Sequence, residues 1–325
     1  MLQAVTETHS ELARCLGAID GLSVAARVPL SQHTRFAIGG PADLFGLAST
    51  SQALGAAFQA ARTAGVPCYL LGDGSNVVAA DDGFRGLVLR YTAADLEYRD
   101  GAVEAASGGS LQALVDLTLD RGLEGMHTLE RIPGSVGGAV YGNAGAYGHQ
   151  IDEFVDRVDF LDGCEVRSFG PAECEFDYRE SIFKRRKEWP ILGTRLVLPP
   201  GDAAALRARA REIRAIRDEK FPPAMRCAGS IFKNLFLDSL PAAAVEMVPE
   251  RAVRGGKVAS AFFLEQVGAK GMRSGGIEIA PYHANLIYNL GGGTAAQIHE
   301  LVHELKRRVR DRFGFEVEEE VQYVG

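Results

Sequence analysis

Pro67-Cys68-Tyr69-Leu70-Leu71-Gly72-Asp73-Gly74-Ser75-Asn76 is a short apolar run that opens into a glycine loop. The apolar half reads as a buried strand. Glycines after it let the main chain approach a ligand, and consecutive N–H groups can form an anion-binding nest. Ser75 and Asn76 add side-chain donors. Upstream, residues 51–64 have helical spacing, with Leu54, Phe58 and Ala61 on one face and Gly65 as the stop. Downstream, Leu87-Val88-Leu89 reads as another strand. This alternation predicts an α/β or α+β layer arrangement.

A second cluster lies about 60 residues on: Ile132-Pro133-Gly134-Ser135-Val136-Gly137-Gly138-Ala139, then Tyr141-Gly142-Asn143-Ala144-Gly145-Ala146-Tyr147-Gly148. No Gly-Lys-Ser/Thr follows, so it is not a P-loop, and GxGxxG is absent at a strand-to-helix turn. Either cluster alone is compatible with a tight surface turn. Two together, rich in glycine and small hydroxyls, suit opposite sides of a pyrophosphate, without choosing between NAD and FAD. The 38 glycines among 325 residues, about 12% against an average of about 7%, have no three-residue period, which excludes collagen.

The rest of the chain bounds the answer. Length suggests two domains or three small ones. With 35 basic and 42 acidic residues the formal charge is −7, and the basic runs 184–187 and 306–308 are short, so a nucleic-acid surface is not expected. No run of about 20 apolar residues and no secretory signal are present, which predicts a chain neither in nor across a membrane. Five cysteines without CxxC spacing read as free thiols in a reducing cytosol. His299 and His303 sit i, i+4 but lack a third ligand, so no metal site is expected. Short strands are expected between residues 98 and 198, among them 155–161 and 195–198. A helix over 203–220 carries Leu206, Ala210, Ile213 and Ile216 inward and is ended by Pro222-Pro223. A last helix starts at Thr294, presents Ile298, Leu301, Val302, Leu305, Val309 and Phe313 on one face, and ends at Gly314. Residues 315–318 read as a terminal strand leading to Glu320.

Taken in order, LGDGSN at 71–76, IPGSVGGA…NAGAYG, YRESIFK at 178–184, AGSIFKN at 228–234, HANLIYN at 283–289 and the terminal FGFEVEEEVQYVG resemble the UDP-N-acetylenolpyruvoylglucosamine reductase family. The likeness runs from about His33 to Gly325. It implies an α+β fold: a two-part FAD-binding domain of the vanillyl-alcohol-oxidase (PCMH) type, residues 1–91 and 92–220, plus a smaller α/β substrate-binding domain, residues 221–325. It also implies a cytoplasmic enzyme, expected as a monomer, of peptidoglycan precursor synthesis. Its cofactor would be non-covalent FAD, its reductant NADPH, and its substrate UDP-N-acetylglucosamine enolpyruvate. The tyrosine-bearing insertion of one family subtype is not found, which places the chain with the shorter type.

Reducing an enolpyruvyl ether needs hydride at C3, a proton at C2, and charge stabilisation at the carboxylate between the two events. The resemblance implies Arg179 at that carboxylate, a planar fork where lysine would be a point charge. It implies Ser230 as proton donor and Glu320 as a third catalytic residue, chosen over Glu318 and Glu319 by aligning the terminal Val324-Gly325. It implies flavin contacts from Gly72, Asp73, Gly74, Ser75, Asn76, Ile132, Gly134, Ser135, Gly138 and Asn143. Lys220, Lys233 and Asn234 are implied for the UDP phosphates and the enolpyruvyl group, although Lys220 also reads as an ordinary helix-end lysine.

The sequence departs from the family pattern at several positions. His127 and Arg131 stand where the family usually has glutamate and glycine, Leu235 replaces a proline, about 25 extra residues fill 236–260, and Gln322 replaces an arginine. Two other readings compete: an oxygen-using flavin oxidase of the same fold, and a non-catalytic flavin or UDP-sugar sensor. Arg179, Ser230 and Glu320 together favour the reductase.

Overall fold

The computed structural model describes residues 2–325, with side chains from residue 9 onward. The chain forms two compact units. One comprises residues up to 28, 42–73 and 84–223; the other comprises 29–41, 74–83 and 224–325.

The first unit contains two sheets with separate cores. Four strands lie in the order Leu22–Pro29, Pro41–Ala48, Phe84–Tyr91, Cys68–Leu70. Leu44 and Cys68 both pair in parallel with Leu87, on either side of the central strand. The crossover is the helix Ser51–Thr63. Thr50 caps it by accepting the Ala53 N–H at 3.1 Å, and Gly65 stops it at φ +65°. Leu54, Ala57 and Ala61 face the sheet, where Leu87 and Leu89 are fully buried. The second sheet is antiparallel, in the order Glu165–Phe169, Val155–Asp162, Ile191–Leu196, Ala102–Ala106, Leu96–Arg99. Phe160 anchors its core against Phe169, Phe183 and Trp189, with ring centroids 4.6, 5.3 and 5.1 Å away.

Three expectations are corrected. Residues 98–198 are not strands alone, because the helix Leu111–Asp120 and the short helix Val136–Tyr141 lie among them. The helix Ala203–Lys220 does bury Leu206, Ala210 and Ile213, but Ile216 is 50% exposed, because the inward face stops a turn before the helix does. Residues 315–318 join no ladder; the terminal strand is Gln322–Val324.

The second unit is built on four strands in the order Cys227–Ser230, Leu286–Asn289, Ile277–Ile279, Arg273–Ser274. The helix Ala295–Phe313 shares its core, burying the six predicted apolar residues. Its start is doubly satisfied. Thr294 and Gln297 form a capping box, and the Asp81 carboxylate accepts the Ala295 and Ala296 N–H groups at 2.8 and 3.0 Å. Gly314 ends it at φ +76°. Phe36, Ile38 and Val78 complete the core, and Val77–Ala79 pairs in parallel with Gln322–Val324. No helix among the described residues is long and apolar enough to cross a membrane.

Candidate active site

In the first unit the two glycine loops meet. A Cβ at Gly72 would lie 3.0 Å from Ser135 Oγ, and one at Gly138 would lie 3.3 Å from the same atom. The Ser135 hydroxyl is occupied as a cap, accepting the Gly138 N–H at 3.1 Å. The loops therefore present backbone. The N–H groups of Gly72, Asp73, Gly134 and Ser135 donate to no acceptor among the described residues. Gly134, at φ +137°, takes a conformation that glycine alone adopts readily. Asp73 turns its carboxylate to Arg90, and Ile132 packs on the core beneath. Unused N–H groups beside bare glycine faces are what a pyrophosphate requires, so the residues present fit FAD.

Arg179 also lies in this unit. Its Nη1 donates to the Asn143 carbonyl at 3.2 Å and its Nη2 to the Gly145 carbonyl at 2.8 Å. Its backbone is left-handed, φ +59°, a conformation that costs a non-glycine residue roughly 1–3 kcal/mol and recurs at functional sites. Lys184 holds it there, donating from Nζ to the Arg179 carbonyl at 2.8 Å and to Glu180 Oε1 at 3.0 Å. Asn143 is fully buried, and its carboxamide is committed within the protein: Nδ2 donates to the Asp177 carbonyl at 3.0 Å and Oδ1 accepts the Asp152 N–H at 3.3 Å. Its amide thus orders the loop that carries Arg179.

Arg131, ahead of the second loop, turns to the helix Ala203–Lys220. Its Nε donates to Asp218 Oδ1 at 2.7 Å, while its backbone sits at φ +63°. The neighbouring Glu130, 1% exposed, accepts from Arg214 Nε at 2.7 Å and from Gln112 Nε2 at 2.9 Å. At the end of that helix burial pushes the Lys220 ammonium down to about 8, with Arg217 adding to the effect. His127 accepts the Gly125 N–H on Nδ1 at 3.3 Å, and burial holds its pKa below the usual histidine value.

In the second unit Ser230 ends its strand on a β-bulge. Cys227 pairs with Tyr288 and Ser230 with Leu286, so three steps on one strand answer two on the other. The extra residue re-aims the chain beyond it. Gly229 supplies the bulge at φ +77°, where a side chain would be strained. The half-buried Ser230 hydroxyl has no hydrogen-bond partner among the described residues. The next residue, Ile231, accepts the Glu320 N–H on its carbonyl at 2.7 Å. Glu318 and Glu319 are committed elsewhere: Glu318 binds the buried Lys233 Nζ at 2.5 Å, and Glu319 accepts from Lys306 at 3.0 Å and from Tyr323. Asn76 fixes the Glu320 carbonyl through Nδ2 at 3.0 Å, and its own carbonyl accepts the Gln322 N–H. Asn234 is exposed and Ser75 half-buried. Gly74 serves the protein itself, since at φ +61° its Cβ would lie 2.0 Å from the His33 carbonyl oxygen. Sequence reasoning passed over Asn285, whose buried carboxamide bonds the backbone just after Ser230. No group of three potential metal ligands occurs among the described residues.

The chain is similar to known proteins over nearly its whole length. Residues 221–324 match the UDP-N-acetylenolpyruvoylglucosamine reductase C-terminal domain, and residues 42–165 match an FAD binding domain. The reductase of Solibacter usitatus is 54% identical over 95% of this chain and 99% of its own. The chain belongs to the UDP-N-acetylenolpyruvoylglucosamine reductase family. The reductase of Rubrobacter xylanophilus is 37% identical, over 95% of this chain and 98% of its own. The crystal structure of the Thermus caldophilus reductase superposes with a TM-score of 0.74 at 27% identity, covering 94% of this chain and all of that one. Membership of the reductase family makes the chain an FAD-dependent oxidoreductase of α+β fold, an FAD-binding part joined to the reductase C-terminal domain.

Proposed function

We propose that the protein reduces UDP-N-acetylglucosamine enolpyruvate to UDP-N-acetylmuramate for peptidoglycan synthesis, as a cytoplasmic monomer holding FAD non-covalently and drawing on NADPH. FAD, when bound, supplies the hydride that reaches C3 of the enolpyruvyl group. The chain's own residues do the rest. The Arg179 guanidinium stabilises the carboxylate as negative charge builds up beside it, and its carbonyl contacts to residues 143 and 145 keep the fork oriented. Ser230 Oγ gives its proton to C2, leaving an alkoxide that is reprotonated from solvent. Glu320 is the carboxylate beside the developing enolate of the substrate.

Lys220, Lys233 and Asn234 serve the UDP phosphates and the enolpyruvyl group, and Lys233 also fastens the terminal segment through Glu318. The backbone of Gly72, Asp73, Gly134 and Ser135 serves the FAD pyrophosphate, Gly138 leaves room for the cofactor at the second loop, and Gly74, Ser75, Asn76, Ile132 and Asn143 shape the loops. We assign residues 1–91 and 92–220 to the flavin and 221–325 to the UDP-sugar; the first unit's two cores support the division of the flavin part, while segments 29–41 and 74–83 lie in the second unit.

The observation that carries this reading is the Ser230 hydroxyl: re-aimed by a bulge, half-buried and unengaged, in a chain of this family. The experiment is a two-step flavin titration without oxygen. The purified protein is reduced with NADPH, and UDP-N-acetylglucosamine enolpyruvate is then added while flavin absorbance is followed. Rapid reoxidation supports the reductase. A flavin that stays reduced until oxygen is admitted makes the protein an oxidase.

A further inference from the structure

We infer that Asn285 is a positioning residue for proton delivery, acting on Ser230 through the peptide just beyond it. The inference rests on the assignment of Ser230 as the acid. Asn285 is 3% exposed, and every hydrogen-bonding position of its carboxamide is used. Oδ1 accepts the N–H of Ile231 at 3.1 Å and of Phe232 at 2.9 Å. Nδ2 donates to the Phe232 carbonyl at 2.8 Å and to Ser260 Oγ at 2.7 Å. Three of these four bonds grip three consecutive peptide units, the first of which joins Ser230 to Ile231.

That grip is needed because of the bulge. At Ala228-Gly229 the ladder to Leu286–Asn289 is interrupted and resumes at Ser230, where main-chain pairing rests on the single 3.2 Å bond from the Ile231 N–H to the Asn285 carbonyl. Gly229 adds freedom, for its left-handed backbone has open space where a Cβ would be. Downstream of the bulge the Asn285 side chain reinforces the main-chain bond that resumes the ladder, Ile231 N–H to the Asn285 carbonyl at 3.2 Å, and the Ile231 carbonyl is left to accept the Glu320 N–H. One carboxamide thus sets the peptide that links the acid to the Glu320 segment. The Ile231 and Phe232 N–H groups keep the amide from turning over, and Ser260 Oγ, which takes the remaining Nδ2 proton, ties it to the Phe232 carbonyl at 3.4 Å.

The group acts on geometry, so its loss belongs to one half-reaction. Asn285→Ala is expected to retain FAD and to be reduced by NADPH at the wild-type rate. Reoxidation by the enolpyruvyl substrate is expected to slow about 100-fold, the usual result of a misplacement near 1 Å, with the substrate KM little changed. Ser260→Ala, a milder change that leaves the strand gripped, is expected to slow the same step about fivefold. In a Ser230→Ala background neither substitution should slow reoxidation further, because residues acting as a unit are not additive.

A purely structural asparagine would lower the melting temperature yet slow both backgrounds alike, and that result overturns the inference. So does wild-type reoxidation in a flavin-retaining Asn285→Ala. If Asn285→Ala does not fold, Ser260→Ala in the two backgrounds decides by the same criterion. Ser230→Ala alone separates the two levels. Should it reoxidise normally, the assignment of the acid falls and this inference with it; should it be slow while both neighbours behave as wild type, only the inference falls.

Discussion

A serine hydroxyl is a weak acid, so Ser230 can give up a proton only to a strongly basic carbon from which water is excluded. Its hydroxyl meets one condition for that task, since no acceptor among the described residues competes for its proton. Ser230→Ala is therefore expected to bind FAD and accept electrons from NADPH normally, but to reoxidise with the enolpyruvyl substrate slower by orders of magnitude; stopped-flow absorbance separates the steps, and an unchanged second step removes Ser230 from the mechanism. Lys220 gives a prediction in pH. Burial favours its neutral amine, so the charge is present below about 8 and disappears as pH rises through that value. If Lys220 binds UDP phosphate, the substrate KM climbs above pH 8, while Lys220→Met has a high KM that no longer rises there. A KM flat across that range in the wild type takes Lys220 out of the phosphate site.

The helix Ala203–Lys220 and the loop before it show what a departure from the family pattern can mean physically. Arg131 adopts φ +63°, where glycine fits without strain, and it ties the loop to Asp218. Arg131→Ala removes the ion pair and keeps a Cβ in the left-handed region, whereas Arg131→Gly removes both the pair and the strain. The glycine variant should be the more stable of the two by about 1 kcal/mol, or 2–4 °C in Tm. Calorimetry checks the order, and an alanine variant at or above the glycine one refutes it. The destination of Arg131 was invisible in sequence, because Asp218 lies 87 residues away. Local signals read better. Helices 51–63, 203–220 and 295–313 were legible since each joins a periodic face to a capping residue. Leu111–Asp120 was missed because its apolar residues spread beyond one stripe, and 315–318 alternates like a strand but finds no partner strand. Within the candidate site, Ser230 and Glu320 stand out in sequence only as positions in motifs. The bulge and the Asn285 grip do not stand out there, since they exist only once residues about 50 apart in sequence are paired.

At the scale of the whole chain, the C-terminal unit does not begin where its continuous sequence begins. The family match starts at residue 221, yet the unit's core contains Phe36, Ile38 and Val78, exposed by 0, 2 and 1%. These arrive in two segments, 29–41 and 74–83, from far upstream. The same segments supply the strand beside Gln322–Val324, the Asp81 cap on the helix Ala295–Phe313, and a carbonyl at Phe36 that accepts from Asn289 Nδ2 at 2.9 Å. Deleting a buried aromatic costs about 3–5 kcal/mol, a buried isoleucine about 2–5, and a helix cap about 1. Together with Val78 and the lost strand these reach roughly 10 kcal/mol, the whole stability of an ordinary domain. A fragment of residues 221–325 is accordingly expected not to fold: its thermal melt should be broad and its amide NMR spectrum poorly dispersed, even though it holds Ser230, Lys233, Asn234, Asn285 and Glu320. Substituting Phe36 or Val78 by alanine in the full chain should then destabilise the unit that carries Ser230, despite their place in the N-terminal quarter of the sequence. A sharp, cooperative melt from the isolated fragment would show that the upstream segments decorate this unit rather than build it.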